Sequence, residues 1–321
     1  MRQGQQTHSK HQELEARKLS QVPRQQRIGR GNLGDRIAPY VFVLPAFLIV
    51  FVFFFLAALN TIRLSFTDST MLIPGKFIGI QNFLDIPKDP YFKYAIVNSS
   101  LYVICVVPFM VILPLILANL VRGNSHVMGF FRTSFYMPVV MSAVVVGMIW
   151  TSMLDSKGLV NSTLLSLKWI QKPIPFLTDR WLILFSCMFV TIWLGLGYYM
   201  VIYLTALANI DDSLYEAAAL DGCNKTQQFI HVTMPGCRST MILVMMLSTI
   251  AAFRVFNEVY IMTNGLGGPG GQDMTMSMLI QQEGTGLAAH TGFASALSVV
   301  VLLIVGLLLI VENVIQRKLE K

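Results

Sequence analysis

Residues 216–235 read EAAALDGCNKTQQFIHVTMP, a polar stretch between two apolar runs that are each long enough to cross a bilayer. Ala217, Ala218, Ala219 and Leu220 propagate a helix. Gly222 is free to end it in the left-handed conformation. Ser213 and Glu216 form S-x-x-E, which predicts a capping box at its start. Asp211 and Asp212 just precede it and suit the positive end of the helix dipole. Asn224 offers a second cap, with Gln227 three residues on, and the second helix is expected to reach about Thr233 and stop before Pro235. Two short helices meeting at a glycine make an elbow whose alanine face admits close approach of another surface.

The surrounding chain has 321 residues, 54% hydrophobic and only 13% charged, where a soluble domain carries about 25%. The apolar residues gather in blocks, which predicts a polytopic membrane protein. Expected spans are Ile37–Thr61, Tyr94–Val121 with Pro108 and Pro114 as kinks, Thr133–Leu154 and Trp181–Ile210. The fifth starts at Ser239 and must include Arg254 and run to about Met262 to reach the length of about 20 residues a crossing needs. The sixth lies in Gly284–Val311, starting near Gly292. A polar tail, residues 1–36, precedes the six-span region 37–315, in which the elbow loop occupies about 209–237, and a short tail, 316–321, follows it.

Six crossings put both termini on one side. Placing the basic tail inside gives fifteen Lys and Arg there against eight outside, a margin that comes mainly from the tail. This puts the termini and the elbow in the cytoplasm of a cell-membrane protein. The net charge of +7 is then a membrane-topology signal and not a nucleic-acid one. Cys105, Cys187, Cys223 and Cys237 have no metal-ligand spacing and read as small fillers, and the sequons at Asn98, Asn161 and Asn224 read as chance.

The elbow resembles the EAA loop of ABC importer permeases: Glu216, Ala217, Ala218, Gly222 and Pro235 match, Val232 and Met234 stand for Ile and Leu, and Cys223 replaces an alanine. FIGIQNF (77–83), Pro138–Trp150 with Gly158 and Asn161, TIWLGLGY (191–198) and TNGLGGP (263–269) are similar to motifs of the carbohydrate-uptake branch, in particular the larger permease subunit of maltose-type importers. The resemblance covers roughly residues 37–315. It implies the all-α type I ABC importer permease fold and a transport subunit with no catalytic residue and no cofactor of its own. A second related permease would complete the pathway, two cytoplasmic ATPases would bind ATP and magnesium, and an external binding protein would deliver a sugar. Glu216, Ala217, Ala218, Asp221, Gly222 and Pro235 would form the ATPase-coupling surface.

By the same resemblance Thr191, Gly195 and Tyr198 line the substrate pathway, with Tyr198 as a ring for sugar stacking. The fifth span departs from the maltose type, since Ala251, Ala252 and Val255 fall where polar contacts are expected. Arg254 and Glu258 stand four apart, which on one helix places them on one face. An intramembrane charge marks function or a locked pair, so Arg254, Asn257 and Glu258 join the candidate pathway, and Arg254 suits an acidic or hydroxyl-rich sugar. GLGGPGG (265–271) lacks the ending of a P-loop and reads as an external turn, and His290 as a boundary residue. No catalytic motif of a membrane enzyme appears. The competing readings are an ABC permease for polyamines or amino acids and a stand-alone secondary carrier, whose matching broken helices are not evident.

Overall fold

Long apolar runs leave the backbone no water to bond, so each must satisfy its polar groups within a helix. The computed structural model describes residues 33–123, 125–286 and 289–319, and most of the expected polar tail therefore lies outside the described residues. Those described are helical apart from turns and one isolated bridge, Thr67 with Phe77. Among the described residues, six segments have the length and composition of membrane spans: Pro39–Leu64, Phe92–Leu120, Ala143–Ser166, Arg180–Leu207, Arg238–Met262 and Thr291–Lys318.

The chain divides into two units, residues 1–59 and 60–321. In the first, a helix from Leu33 passes through a π turn at Phe51–Leu56. Its Phe47, Phe51 and Phe55 rings stack at 5.9 and 6.1 Å, and its large apolar side chains are exposed, as a lipid- or protein-facing helix requires.

The second unit is organised around the span Phe92–Leu120, which runs through both prolines and packs against the fourth and fifth spans. Tyr102, Leu115, Met200, Tyr203 and Phe253 are fully buried there. The Tyr203 hydroxyl donates to the Val111 carbonyl at 3.0 Å, which gives its polar end a partner inside the core.

Two expected spans are discontinuous. The apolar run 133–154 is split: Ser125 caps a helix His126–Tyr136, Pro138 opens a 3₁₀ turn at Met137–Val140, and Ser142 is extended before the helix Ala143–Leu154 begins. Met137 is still helical and Pro138 sits in the first turn of the 3₁₀ segment; the helical run ends where Met141 and Ser142 turn extended. The third span instead gains its length after a turn, from Leu159–Ser166. The fifth breaks at Arg254, as described below.

The connection 263–275 is built from backbone that only glycine adopts easily. Gly265, Gly267, Gly268, Gly270 and Gly271 have φ between 64° and 76°. Asn98 of the second span donates to the Gln272 and Met274 carbonyls at 2.8 and 2.9 Å, and Ser99 accepts from the Met276 amide. The turn is thereby stitched to the core helix.

Candidate functional site

The elbow forms as two helices about Gly222, with different caps from those expected. The first helix is Asp212–Leu220, and its N-cap is Asp211, whose carboxylate accepts from the Ser213 amide at 2.9 Å. That bond holds the Asp211 carboxyl below its ordinary range. The Ser213–Glu216 capping box does not form, because the helix starts before Ser213 and carries it into the first turn. Gly222 has φ +81°, the Cys223 amide reaches back to the Ala218 carbonyl, and the Gly222 amide reaches the Ala219 carbonyl. This pair of bonds is the Schellman closure that a left-handed residue permits.

Asn224 and Gln227 do form the expected capping box on Lys225–Gln228. The chain does not stop before Pro235. It passes through a π turn at Phe229–Thr233 into Met234–Gly236, with Pro235 in the first turn of that short helix, where its missing N–H costs little.

Tyr215 binds the two halves of the elbow. Its hydroxyl lies 3.0 Å from the Thr233 hydroxyl, and its carbonyl accepts from Gln228 at 3.5 Å. Its ring carries the Arg122 guanidinium at 4.2 Å, and Arg122 also meets Asp212 at 3.3 Å. Arg122 lies two residues past the end of the second span, so this contact joins the elbow to the central helix. Arg132 caps the end of that span, donating to the Val121 and Gly123 carbonyls at 2.8 and 2.7 Å.

Facing away from these ties, Glu216, Ala217, Asp221, Gly222 and Pro235 are exposed and Ala218 is half-buried. Among the described residues nothing binds the Glu216 carboxylate. Leu220 is 90% exposed beside it. This face of the elbow thus carries an acidic side chain without a partner among the described residues, small residues and one outstanding apolar side chain.

Among the described residues the pathway candidates meet different neighbours. Thr191 returns its hydroxyl to the Cys187 carbonyl at 3.0 Å. A Cβ on Gly195 would lie 2.3 Å from the Met110 methyl, so its space is filled by the second span. Tyr198 is exposed and packs edge-on against Tyr199 at 5.1 Å. Trp193 meets Trp150 at 5.7 Å, in a cluster with Phe189.

The expected Arg254–Glu258 helical pair is overturned. The fifth helix ends at Phe253, Arg254 and Phe256 leave helical geometry, and a new helix covers Asn257–Met262. The Thr275 hydroxyl takes the Val255 carbonyl at 3.0 Å, which stabilises the break. Glu258 is half-buried, with its carbonyl 3.9 Å from the Cys187 sulfur, while Arg254 and Asn257 are exposed. No ion pair joins Arg254 to Glu258 among the described residues.

Sequence reasoning missed three buried asparagines. Asn82, Asn98 and Asn161 each staple loop backbone: Asn82 holds the Ser65 and Thr67 carbonyls, and Asn161 holds the Asp155 and Ile174 carbonyls and the Ile174 amide. Asn98 and Asn161 read only as chance sequons and Asn82 only as part of the FIGIQNF motif, which hid the structural role of a buried amide. Asp273 was also missed. It is fully buried against Gly268, and burial pushes its carboxyl up to about 7 against the pull of Arg180.

Comparison with known proteins gives the family and the fold. Residues 90–321 match the family of binding-protein-dependent transport system inner membrane components. The lactose transport system permease protein LacF of Rhizobium radiobacter is 34% identical over 84% of this chain and 90% of its own length. The arabinooligosaccharides transport system permease protein AraP of Halalkalibacterium halodurans is 31% identical over 84% of this chain and 85% of its own. A chain of a bacterial ABC transporter that imports the acidic polysaccharide alginate superposes with a TM-score of 0.77 over 90% of this chain and 98% of its own, at 21% identity, which shows the shared type I importer fold. With six spans, a shared fold and a family match over most of its length, this chain belongs to the inner-membrane permease components of binding-protein-dependent ABC importers.

Proposed function

We propose that this chain passes a sugar or oligosaccharide, delivered by an external binding protein, across the cell membrane, and that its elbow receives the push of an ATPase. The observation that carries the coupling half is the elbow itself. A Schellman-closed turn presents Glu216, Ala217 and Leu220 outward, while Tyr215 and Arg122 tie the other side to the second span. The carbohydrate half is supported by relatives named for lactose and arabinooligosaccharides. A solved alginate importer bound to its pentasaccharide-loaded periplasmic protein supports an external partner.

A second permease of the same family and two cytoplasmic ATPases complete the machine, and ATP and magnesium bind to the ATPases. The chain itself performs no chemistry. Both termini and the elbow lie in the cytoplasm, on the side with more Lys and Arg. The ATPase pair has two states, and the elbow biases the spans between inward- and outward-open arrangements through differential contacts. The test is uptake of labelled oligosaccharide into proteoliposomes holding the assembled transporter. Uptake that needs ATP, the binding protein and an intact Glu216 supports the reading. Uptake by this chain alone without ATP contradicts it.

A further inference from the structure

We propose that Arg254 and the groove it lines hold the carboxylate of an acidic sugar in transit. This rests on the carbohydrate reading above and names the class of cargo.

Arg254 lies within the fifth span, eight residues or about 12 Å from its end at Met262. A cation at that depth is costly, and a protein keeps one there with a partner or for a task. No partner is present among the described residues. Glu258 sits beyond the helix break with its backbone against Cys187. Glu312 of the sixth span accepts from the Thr249 hydroxyl at 2.5 Å. Neither forms an ion pair with Arg254.

The backbone points the same way. Irregular chain at membrane depth survives only where protein buries it or a wet cavity borders it. Val255 and its carbonyl are buried under Thr275, while Arg254 in the same break is exposed. Its side chain borders a groove of about 590 Å³ whose other polar residues are Ser277 and Ser298, set among Ile250, Ile280 and Val301. That volume is in the range of small-molecule sites, and apolar walls with few polar groups are their usual lining. The guanidinium fork matches a carboxylate with two parallel bonds. The Ser298 hydroxyl donates to the Ala294 carbonyl at 2.9 Å and keeps acceptor capacity for a sugar hydroxyl. A lipid phosphate stays at headgroup level, about two helical turns away, which favours a cargo that enters by water.

The test uses the assembled transporter with its binding protein in proteoliposomes, with trigalacturonate and galactotriose as probes. Arg254→Gln is expected to lower trigalacturonate uptake roughly ten-fold, while galactotriose uptake stays within about two-fold. Arg254→Lys restores part of the difference. Equal loss for both probes assigns Arg254 to the partner interface or to lipid and overturns the inference, as does unchanged trigalacturonate uptake. Transport of galactotriose but not trigalacturonate by the native protein defeats this inference alone, and transport of no carbohydrate defeats the reading beneath it. If the Gln variant fails to assemble, saturation-transfer NMR on the native transporter decides: preferential binding of trigalacturonate supports the site, and equal binding of both probes overturns it.

Discussion

Gly195 and Gly197 stand two apart on the fourth span and meet different neighbours. A Cβ at 195 would meet the flexible tip of Met110 at 2.3 Å, and one at 197 would meet the Phe135 carbonyl oxygen at 2.2 Å. The first neighbour can move and the second is backbone. Gly197→Ala is expected to cost about 1–3 kcal/mol and to lower the melting temperature and yield of the assembled protein. Gly195→Ala should leave melting nearly unchanged, so any loss of uptake in it reports on the pathway.

Asp273 supplies a pH prediction at the same scale. Its carboxyl rises from an ordinary 3.8 to about 7 on folding because burial disfavours the charge. The folded protein therefore binds the proton more tightly than the unfolded chain. The stabilisation is complete below about pH 4 and is lost as pH rises toward 7. Melting temperature measured across that window should fall more steeply in the native protein than in Asp273→Asn. Equal slopes would contradict the assignment. No local signal marks this residue, because its burial depends on Gly268 and on a second span more than 150 positions away in the chain.

At the scale of elements, apolar length was enough to find the crossings. The first, second and fourth spans lie within a few residues of where uncharged runs place them, while the sixth starts as expected and runs seven residues past Val311, into the stretch read as a tail. The breaks were not legible to the same degree. The one in the third segment falls at Met141 and Ser142, inside an uncharged run, and a proline three residues earlier does not mark it, since Pro108 and Pro114 sit within an unbroken helix. The break at Arg254 has no local breaker, since it is fixed by a hydroxyl twenty positions later.

Elbow caps show the same division. Asn224 and Gln227 follow the capping pattern and form it, whereas Asp211 takes the role expected of Ser213. Asn224→Ala should cost about 1 kcal/mol locally and speed amide exchange at 225–228 several-fold. Ser213→Ala should leave exchange at 212–216 unchanged, while Asp211→Ala should speed it. Arg122→Ala removes the stack on Tyr215 and the pair with Asp212. It is expected to lower uptake more than it lowers ATP hydrolysis, because the elbow then moves with less pull on the second span. Equal loss of both activities would place Arg122 outside the coupling path.

At the scale of the whole molecule, the chain is a set of surfaces that need partners. Phe42, Phe53 and Phe54 of the first unit are exposed, Leu220 stands out from the elbow, and Arg254 faces an open groove. The family was legible because the elbow is local: its helices, its glycine and its second cap are set within about twenty residues. The pathway was less legible, because Thr191, Gly195, Tyr198 and Arg254 face four different surroundings in a single subunit. Spacing along one chain does not report such surroundings.

The most direct test of the account is to purify this chain, tagged, from its native membrane and identify what accompanies it. The account predicts a second six-span permease, an ATPase and a sugar-binding protein, with the ATPase lost when Glu216 and Gly222 are replaced. Recovery of the chain alone, with transport intact in vesicles free of ATP, would contradict it.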